Sequence, residues 1–249
     1  MSRIFVAIML FSGVASAREI EWGYELGIEA GLWGATLALE SGDKPTHGSS
    51  NFPTRAMDES VRDEVHGSGG SLSLTKRERS AKLASDVTIT GLIISSGTAG
   101  LAFNQNEWAG RTMTMAHALA INNTVSTIAK HSFRRVRPRA AHAPGAPEPR
   151  GDDVKSFPSA HSSNAFAAAT AFHLLYPEAP VVLRSVFFVA AAVVGYARMV
   201  ADKHYFTDVV VGGGIGALSA VTSVRIFEAP DSRWSLRTDG QSLTAQLSF

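Results

Sequence analysis

From Asp86 onward the chain runs as long apolar segments separated by short polar breaks: Val87 to Phe103, Thr112 to Lys130, Ser162 to Tyr176, Val181 to Met199 and Val209 to Phe227. All five are rich in small and aliphatic residues and bounded by Pro, Gly or charged residues, and none keeps the two-residue alternation of a strand. This pattern predicts an all-α fold, a helical bundle of about five to six core helices. Upstream, Tyr24 to Glu40 is mostly apolar and predicts a first helix. Ser41 to Gly70 collects Gly, Pro, Ser, Asp and Arg around a short amphipathic piece near Met57 to Val65, which predicts a long surface excursion. Thr75 is placed to cap a helix that opens in the charged run Lys76 to Lys82. Pro138 to Phe157, with four prolines and the pair Asp152-Asp153, predicts a loop. In the tail, Trp234 to Arg237, then Asp239-Gly240, then Leu243, Ala245, Leu247 and Phe249 at every second position, predict a small β-hairpin with an Asp-Gly turn.

The start has its own texture. Arg3, the apolar run Ile4 to Phe11 and the triplet Ala15-Ser16-Ala17 have the layout of a secretory signal cleaved after Ala17, and the run is too short to span a bilayer. Residues 1–17 are therefore expected to be a signal peptide, 18–230 a helical domain and 231–249 a tail. An exported, periplasmic protein follows. Of the uncharged stretches, Val87 to Asn106 has ordinary spanning length, whereas Ser185 to Ala197 and Val209 to Val224 are shorter. That favours a soluble or peripherally bound bundle, with membrane association possible if Arg184 or Arg225 snorkels.

Composition narrows the chemistry. The 249 residues are 45% hydrophobic and 18% charged, enough for a sizeable core, and contain no cysteine. Disulfides, thiolate metal sites and a cysteine nucleophile are excluded, which leaves histidine, serine and carboxylates. With 23 Lys and Arg against 22 Asp and Glu there is no global field to attract nucleic acid, so any anion site must be assembled locally. His47, His66, His117, His131, His142 and His173 have no mutual ligand spacing, so no metal site is expected.

Three short clusters sit at the predicted helix ends. Lys130 and Arg137, seven apart, would share a helix face if the helix continued that far, and Pro138 marks its exit. Pro158, Ser159, Ala160 and His161 precede an apolar helix, whose first N–H groups make an anion site by geometry; His161 beside it could donate a proton. Arg198 is followed by His204 and Asp208, spaced so that the carboxylate could accept a ring N–H and set the tautomer. Each cluster alone would be an ordinary basic helix end, a serine cap or a surface ion pair.

Taken as a set, Lys130-x6-Arg137-Pro138, Pro158-Ser159-x-His161 and Arg198-x5-His204-x3-Asp208 resemble the signature of the type-2 phosphatidic acid phosphatase superfamily, which also contains bacterial nonspecific acid phosphatases and vanadium haloperoxidases. Two positions depart from it: Ala160 stands where glycine is usual, and Ala197 where serine is usual. The resemblance implies that Lys130, Arg137 and Arg198 bind phosphate oxygens, with Ser159 and the Ala160 N–H completing the cradle. It further implies that His204, oriented by Asp208, attacks phosphorus to form a phosphohistidine, and that His161 protonates the leaving oxygen. The implied activity is a metal-independent, cofactor-free phosphomonoesterase acting on a lipid phosphate or a small phosphomonoester. Two alternatives remain: a vanadate-dependent haloperoxidase using the same cradle, and a non-enzymatic polyanion or lipid binder built on the run Arg134 to Arg139.

Overall fold

The computed structural model describes residues 22–42, 47–66, 75–145 and 147–228, and the backbone of 233–238 and 243–248. The expected signal segment and the Asp239-Gly240 turn lie outside these residues. Nine α-helices follow in order among them: α1 Trp22–Ser41, α2 Arg55–His66, α3 Lys76–Thr98, α4 Gly100–Phe103, α5 Trp108–Phe133, α6 Pro138–His142, α7 Ala160–Leu175, α8 Val181–Val200 and α9 Phe206–Phe227. The fold is all-α, as the apolar segments require. In the tail, β1 (Arg233–Thr238) and β2 (Leu243–Ser248) pair antiparallel, with Thr238 opposite Leu243 and Arg233 opposite Ser248.

Helix α7 is the central element, packed by α3, α5, α8 and α9, while α1 lies along the outer side of α5. Small side chains let it sit there: Ala165, Ala167, Ala168, Ala169 and Ala171 are fully buried. Larger residues close the core at the end of α7 away from its N-terminus, where Phe172 stacks on Phe187 with centroids 4.0 Å apart and Tyr176 lies against Phe172. The tightest crossing is α7 on α9. A Cβ on Gly212 would lie 2.6 Å from the Ser159 carbonyl oxygen, and one on Gly216 would overlap the Ser163 carbonyl. Glycine is required at both positions because the two backbones touch, and this contact presses the N-terminus of α7 against that of α9.

The helix boundaries follow local chemistry. Thr75 caps α3 as its position predicts: its Oγ1 accepts the Glu78 N–H at 3.2 Å, and Glu78 returns a bond to the Thr75 N–H. Helix α5 stops at Phe133 because Arg134 turns left-handed at φ 46°, so the face shared by Lys130 and Arg137 does not form. Arg137 instead precedes Pro138, the first residue of α6.

The stretch expected to be a surface excursion is bound into the structure. Within it α2 buries Asp58 and Arg62, and Arg62 donates to both oxygens of Asp202 at 2.8 and 2.9 Å. Phe52, Phe133 and Phe157 pack ring to ring, with centroids 4.9 to 6.1 Å apart, and hold this segment to the end of α5.

Three helical stretches, Lys76–Phe103, Val181–Val200 and Phe206–Phe227, are long and apolar enough to cross a membrane. A wholly uncharged run singles out the first; the other two carry Arg184, Arg198, Asp208 and Arg225, all near the helix ends. These helices expose Leu83, Val87, Ile94, Val182, Val186, Val189, Val210 and Leu218.

The α7–α9 contact gives a direct test. Gly216→Ala is expected to destabilise the chain by about 1–3 kcal/mol through overpacking. Gly214→Ala, on the open side of the same helix with nothing within 4 Å of its Cβ, should be neutral or slightly stabilising. Thermal unfolding of both variants checks the pair.

Candidate active site

Four helix ends and one loop meet at one end of the bundle: the C-termini of α5 and α8, the N-termini of α7 and α9, and the segment between α6 and α7. They enclose a cavity of about 520 Å³ whose walls include Lys130, Arg137, Ala160, His161, Arg198 and His204. Six of the eight residues singled out in the sequence thus meet at one cavity. The other two, Ser159 and Asp208, are fully buried behind it.

Each cation is held by oxygen atoms of the backbone or of neighbouring side chains. Lys130 Nζ donates to the carbonyls of Lys155 (3.0 Å) and Pro158 (2.6 Å). Arg137 donates through Nε to the Asp152 carbonyl (2.8 Å), through Nη1 to the Lys203 carbonyl (3.0 Å) and through Nη2 to the Asp152 carboxylate (2.9 Å). Arg198 Nη1 donates to Ser85 Oγ at 3.3 Å and lies 3.6 Å from Asp86 Oδ1. Burial, and then the Arg137 charge, push the Lys130 ammonium down to about 7.

His204 is defined on both sides. Its Nδ1 lies 2.7 Å from the Ser156 carbonyl, and because a carbonyl only accepts, Nδ1 carries the proton. Its Nε2 then offers a lone pair, which accepts an N–H from Arg137 at 3.1 Å. Burial, together with Arg137, Lys130 and Arg198, holds its pKa well below the ordinary histidine value, so the ring is neutral. This corrects the expected partner: Asp208 Oδ2 is 3.7 Å from Nδ1, too far for the hydrogen bond that the four-residue spacing suggested.

Asp208 works one step removed. It accepts Ser156 Oγ–H (2.5 Å), the Tyr205 N–H (2.9 Å) and Arg135 Nη1–H (2.6 Å). It thereby fixes Ser156, whose carbonyl in turn fixes His204. The spacing also suits an acid three residues past the helix N-cap, and that is the bond Asp208 makes with Tyr205.

Ser159 caps α7, accepting the Ser162 N–H, and its own N–H donates to the Asp208 carbonyl at 3.0 Å. Ala160 opens the helix, lines the cavity and is not among the positive-φ residues, so a glycine is not needed there.

Sequence reasoning missed three residues. Arg135, inside the basic run, is almost wholly buried: it joins Asp208 to Asp58 (2.7 Å), donates to Thr207 Oγ1 (2.8 Å), and lies between the rings of Phe52 and Tyr205. Its burial and that of Arg137 mean that Arg134 to Arg139 is not a contiguous basic surface, which removes the basis of the polyanion-binding alternative. Asp86 bonds His161 across 75 residues, a pairing no local spacing signals. Asp152 supplies the carboxylate on Arg137.

Among the described residues, His66, Glu78 and Asp202 bring three ligand-type atoms within 4.8 Å. Arg62 already occupies both oxygens of Asp202, and Glu78 is engaged in the α3 cap, so the group acts as an ion-pair cluster tying α2 to the turn before His204.

Residues 111–231 match the model of a family described as the PAP2 superfamily. The chain is 29% identical over 119 residues to a lipid A 1-phosphatase of Porphyromonas gingivalis, covering 48% of this chain and 24% of that protein. It is 29% identical over 133 residues to a lipid A 1-phosphatase of Rhizobium johnstonii, covering 52% and 53%. The matches thus span from about a quarter to about half of these relatives. In fold the chain is similar to the crystal structure of Aquifex aeolicus LpxE (TM-score 0.54, 18% identity, 72% of this chain and 99% of that one). It is also similar to a transmembrane PAP2 type phosphatidylglycerolphosphate phosphatase from Bacillus subtilis (TM-score 0.52, 18% identity, 80% and 93%).

With Lys130 near 7 and both cavity histidines well below that, Lys130 is the cavity cation that titrates around neutrality. Sulfate, whose charge is constant over this range, should bind more weakly as pH rises from 6 to 8, by about tenfold for loss of one contact charge. In Lys130→Met this part of the pH dependence should be lost. Calorimetric titration at the two pH values measures both.

Proposed function

We propose that the chain, whose residues 111–231 match the PAP2 superfamily model, is a phosphatase that hydrolyses a lipid-borne phosphomonoester through a phosphohistidine intermediate, without a metal. The observation that carries this reading is the unprotonated Nε2 of His204, which faces Arg137 while the other nitrogen is committed to the Ser156 carbonyl, set among three buried cations.

The substrate phosphate takes its non-bridging oxygens to Lys130, Arg137 and Arg198, whose fixed charges stabilise the charge spread over those oxygens in flight. Arg137 presents forked N–H donors suited to a tetrahedral oxyanion, and on binding its Nη1–H passes from His204 to phosphate. Nε2 then attacks phosphorus. As the P–N bond forms, the bond to the leaving oxygen breaks, and His161 gives that oxygen its proton. The positive charge that develops on the His204 ring is held by Nδ1–H against the Ser156 carbonyl. In the second half His161 takes a proton from water, which attacks phosphorus, breaks the P–N bond and releases inorganic phosphate. Asp208 positions His204 through Ser156.

Burial and Arg198 push His161 down to about 4, with Asp86 opposing. A bound dianion offsets the arginine charge, so proton uptake by His161 accompanies substrate binding.

A lipid substrate is supported by where the apolar stretches end. On α3, α8 and α9 the residues that close the apolar run at the cavity end are Asp86, Arg198 and Asp208, which puts the phosphate cradle at the edge of the exposed apolar belt. A phosphate head bound there leaves acyl chains level with that belt. The named activity of the relatives, lipid A 1-phosphatase, is one member of this substrate class. The signal-like first 17 residues support export to the periplasm.

The test is phosphate release by detergent-purified protein in excess EDTA, from a lipid phosphomonoester in mixed micelles and from a soluble aryl phosphate. Turnover should persist in EDTA, favour the lipid, and fall roughly 10³-fold or more in His204→Ala. Vanadate should inhibit. Abolition by EDTA, an active His204→Ala, or halogenation with vanadate, bromide and peroxide would overturn the reading.

A further inference from the structure

We propose that Asp86 is the positioning residue of the proton donor: from α3 it holds the His161 ring by Nε2 and so assigns proton delivery to Nδ1. This rests on the reading of His161 as the general acid given above.

The geometry comes from three elements that converge on one carboxylate. Asp86 Oδ1 lies 2.8 Å from His161 Nε2, and Oδ2 accepts Lys82 Nζ at 2.8 Å. Arg198 Nη1 lies 3.6 Å from the same Oδ1 and donates to the neighbouring Ser85 Oγ. Ser85 thus takes the hydrogen bond of Arg198 on α8, and Asp86 beside it holds the cavity histidine on α7. Asp86 is also the last charged residue before the apolar stretch of α3. A carboxylate at that boundary costs free energy unless paired, and each of its partners belongs to the cavity wall or to the preceding turn of its own helix.

The chemistry follows from the acceptor. An ionised carboxylate can only accept, so Nε2 keeps its proton in both states of the ring, and the nitrogen left to exchange a proton with the leaving oxygen or with water is Nδ1. His161 and His204 thus share a design in reverse: His204 is held by Nδ1 and reacts through Nε2, whereas His161 is held by Nε2 and reacts through Nδ1.

The same contact opposes the cavity's own field. His161 shares the cavity with Lys130, Arg137, Lys155 and Arg198 on the positive side, with Glu40 and Asp152 on the negative, and with neutral His204. Arg198 and Arg137 both push its proton off, and Asp86 is the carboxylate that pulls it back. Without that charge, the acid would be unprotonated when the leaving oxygen departs.

The experiment compares leaving groups. Release of the leaving group in a single turnover is followed by rapid quench for an alkyl phosphate, whose alkoxide needs a proton, and for p-nitrophenyl phosphate, whose anion does not. Asp86→Asn should slow the alkyl substrate by about 10- to 100-fold while changing the aryl substrate by less than about threefold. It should also move the alkaline limb of the alkyl pH profile to lower pH and leave KM close to the wild-type value. Asp86→Glu should recover part of the rate. Retained aryl turnover shows that the variant is folded. An equal loss for both substrates, or a rise in KM with no change in the single-turnover rate, would make Asp86 merely structural and overturn the proposal. His161→Ala separates the two layers. If it slows both substrates alike, the general-acid reading itself has failed and Asp86 falls with it; if it is leaving-group selective while Asp86→Asn is not, only the Asp86 proposal has failed.

Discussion

Three cations have to be kept together and largely dry with no anion permanently between them, and the architecture around the cavity answers that constraint. Lys130, Arg137 and Arg198 are each less than a tenth exposed. Their charges are met chiefly by dipoles. The carbonyls of Lys155, Pro158, Asp152 and Lys203 take four of their N–H donors. Carbonyl dipoles lower the cost of burial without cancelling the field that an incoming anion feels, as a full set of carboxylates would. The cost that remains is visible at Lys130. The drop from 10.5 to about 7 corresponds to roughly 5 kcal/mol of disfavour for its charged form. A bound dianion would recover much of that, which favours an anion in this cavity.

Supplying those carbonyls requires the loop between α6 and α7 to lie against the end of α5, and a second buried charge system holds it there. Arg135 joins Asp58 of α2 to Asp208 of α9 and sits between two aromatic rings, while Asp208 grips Ser156 in the loop. Removing one partner from such a buried pair costs about 3–5 kcal/mol because the other charge is left uncompensated. The two systems are neighbours of different make: the Arg135 pairs are closed against carboxylates, whereas the cavity cations rest mainly on carbonyls. Two arginines of one short segment divide between the systems: Arg135 belongs to the closed pairs, and Arg137 lines the cavity.

How much of this was legible in the sequence depended on whether the information was local. The apolar segments specified the helices, and Thr75 specified the start of α3, because period and capping act within a few residues. Six of the eight site residues reach the cavity because each cluster sits at a helix end, and a bundle necessarily brings several such ends together. What failed was inference of partners from spacing. His204 and Asp208 are four apart, as a tautomer-fixing pair would be, yet the carboxylate caps its own helix and the ring finds a backbone carbonyl. Lys130 and Arg137 are two turns apart on paper, but Arg134 leaves the helix between them. The pairing of Asp86 with His161 and the burial of Arg135 against Asp58 span 75 and 77 residues, and no local pattern encodes them.

The glycines of α9 connect packing to chemistry. A Cβ on Gly212 would lie 2.6 Å from the Ser159 carbonyl oxygen, so the distance between the N-terminus of α7 and the turn carrying His204 is set by backbone against backbone rather than by side chains that could repack. The bond from Ser159 N–H to the Asp208 carbonyl reinforces the same junction from the other side. The proposed in-line displacement would tolerate little error in the approach of nucleophile to phosphorus, and a lipid substrate would pull on a site at the edge of an apolar belt. A junction with no rotatable bonds at its closest point is a physical answer to both demands. It also explains why the core beneath can be built largely from alanine and glycine: tight helix approach, rather than bulky interdigitation, is what holds the four helix ends in register.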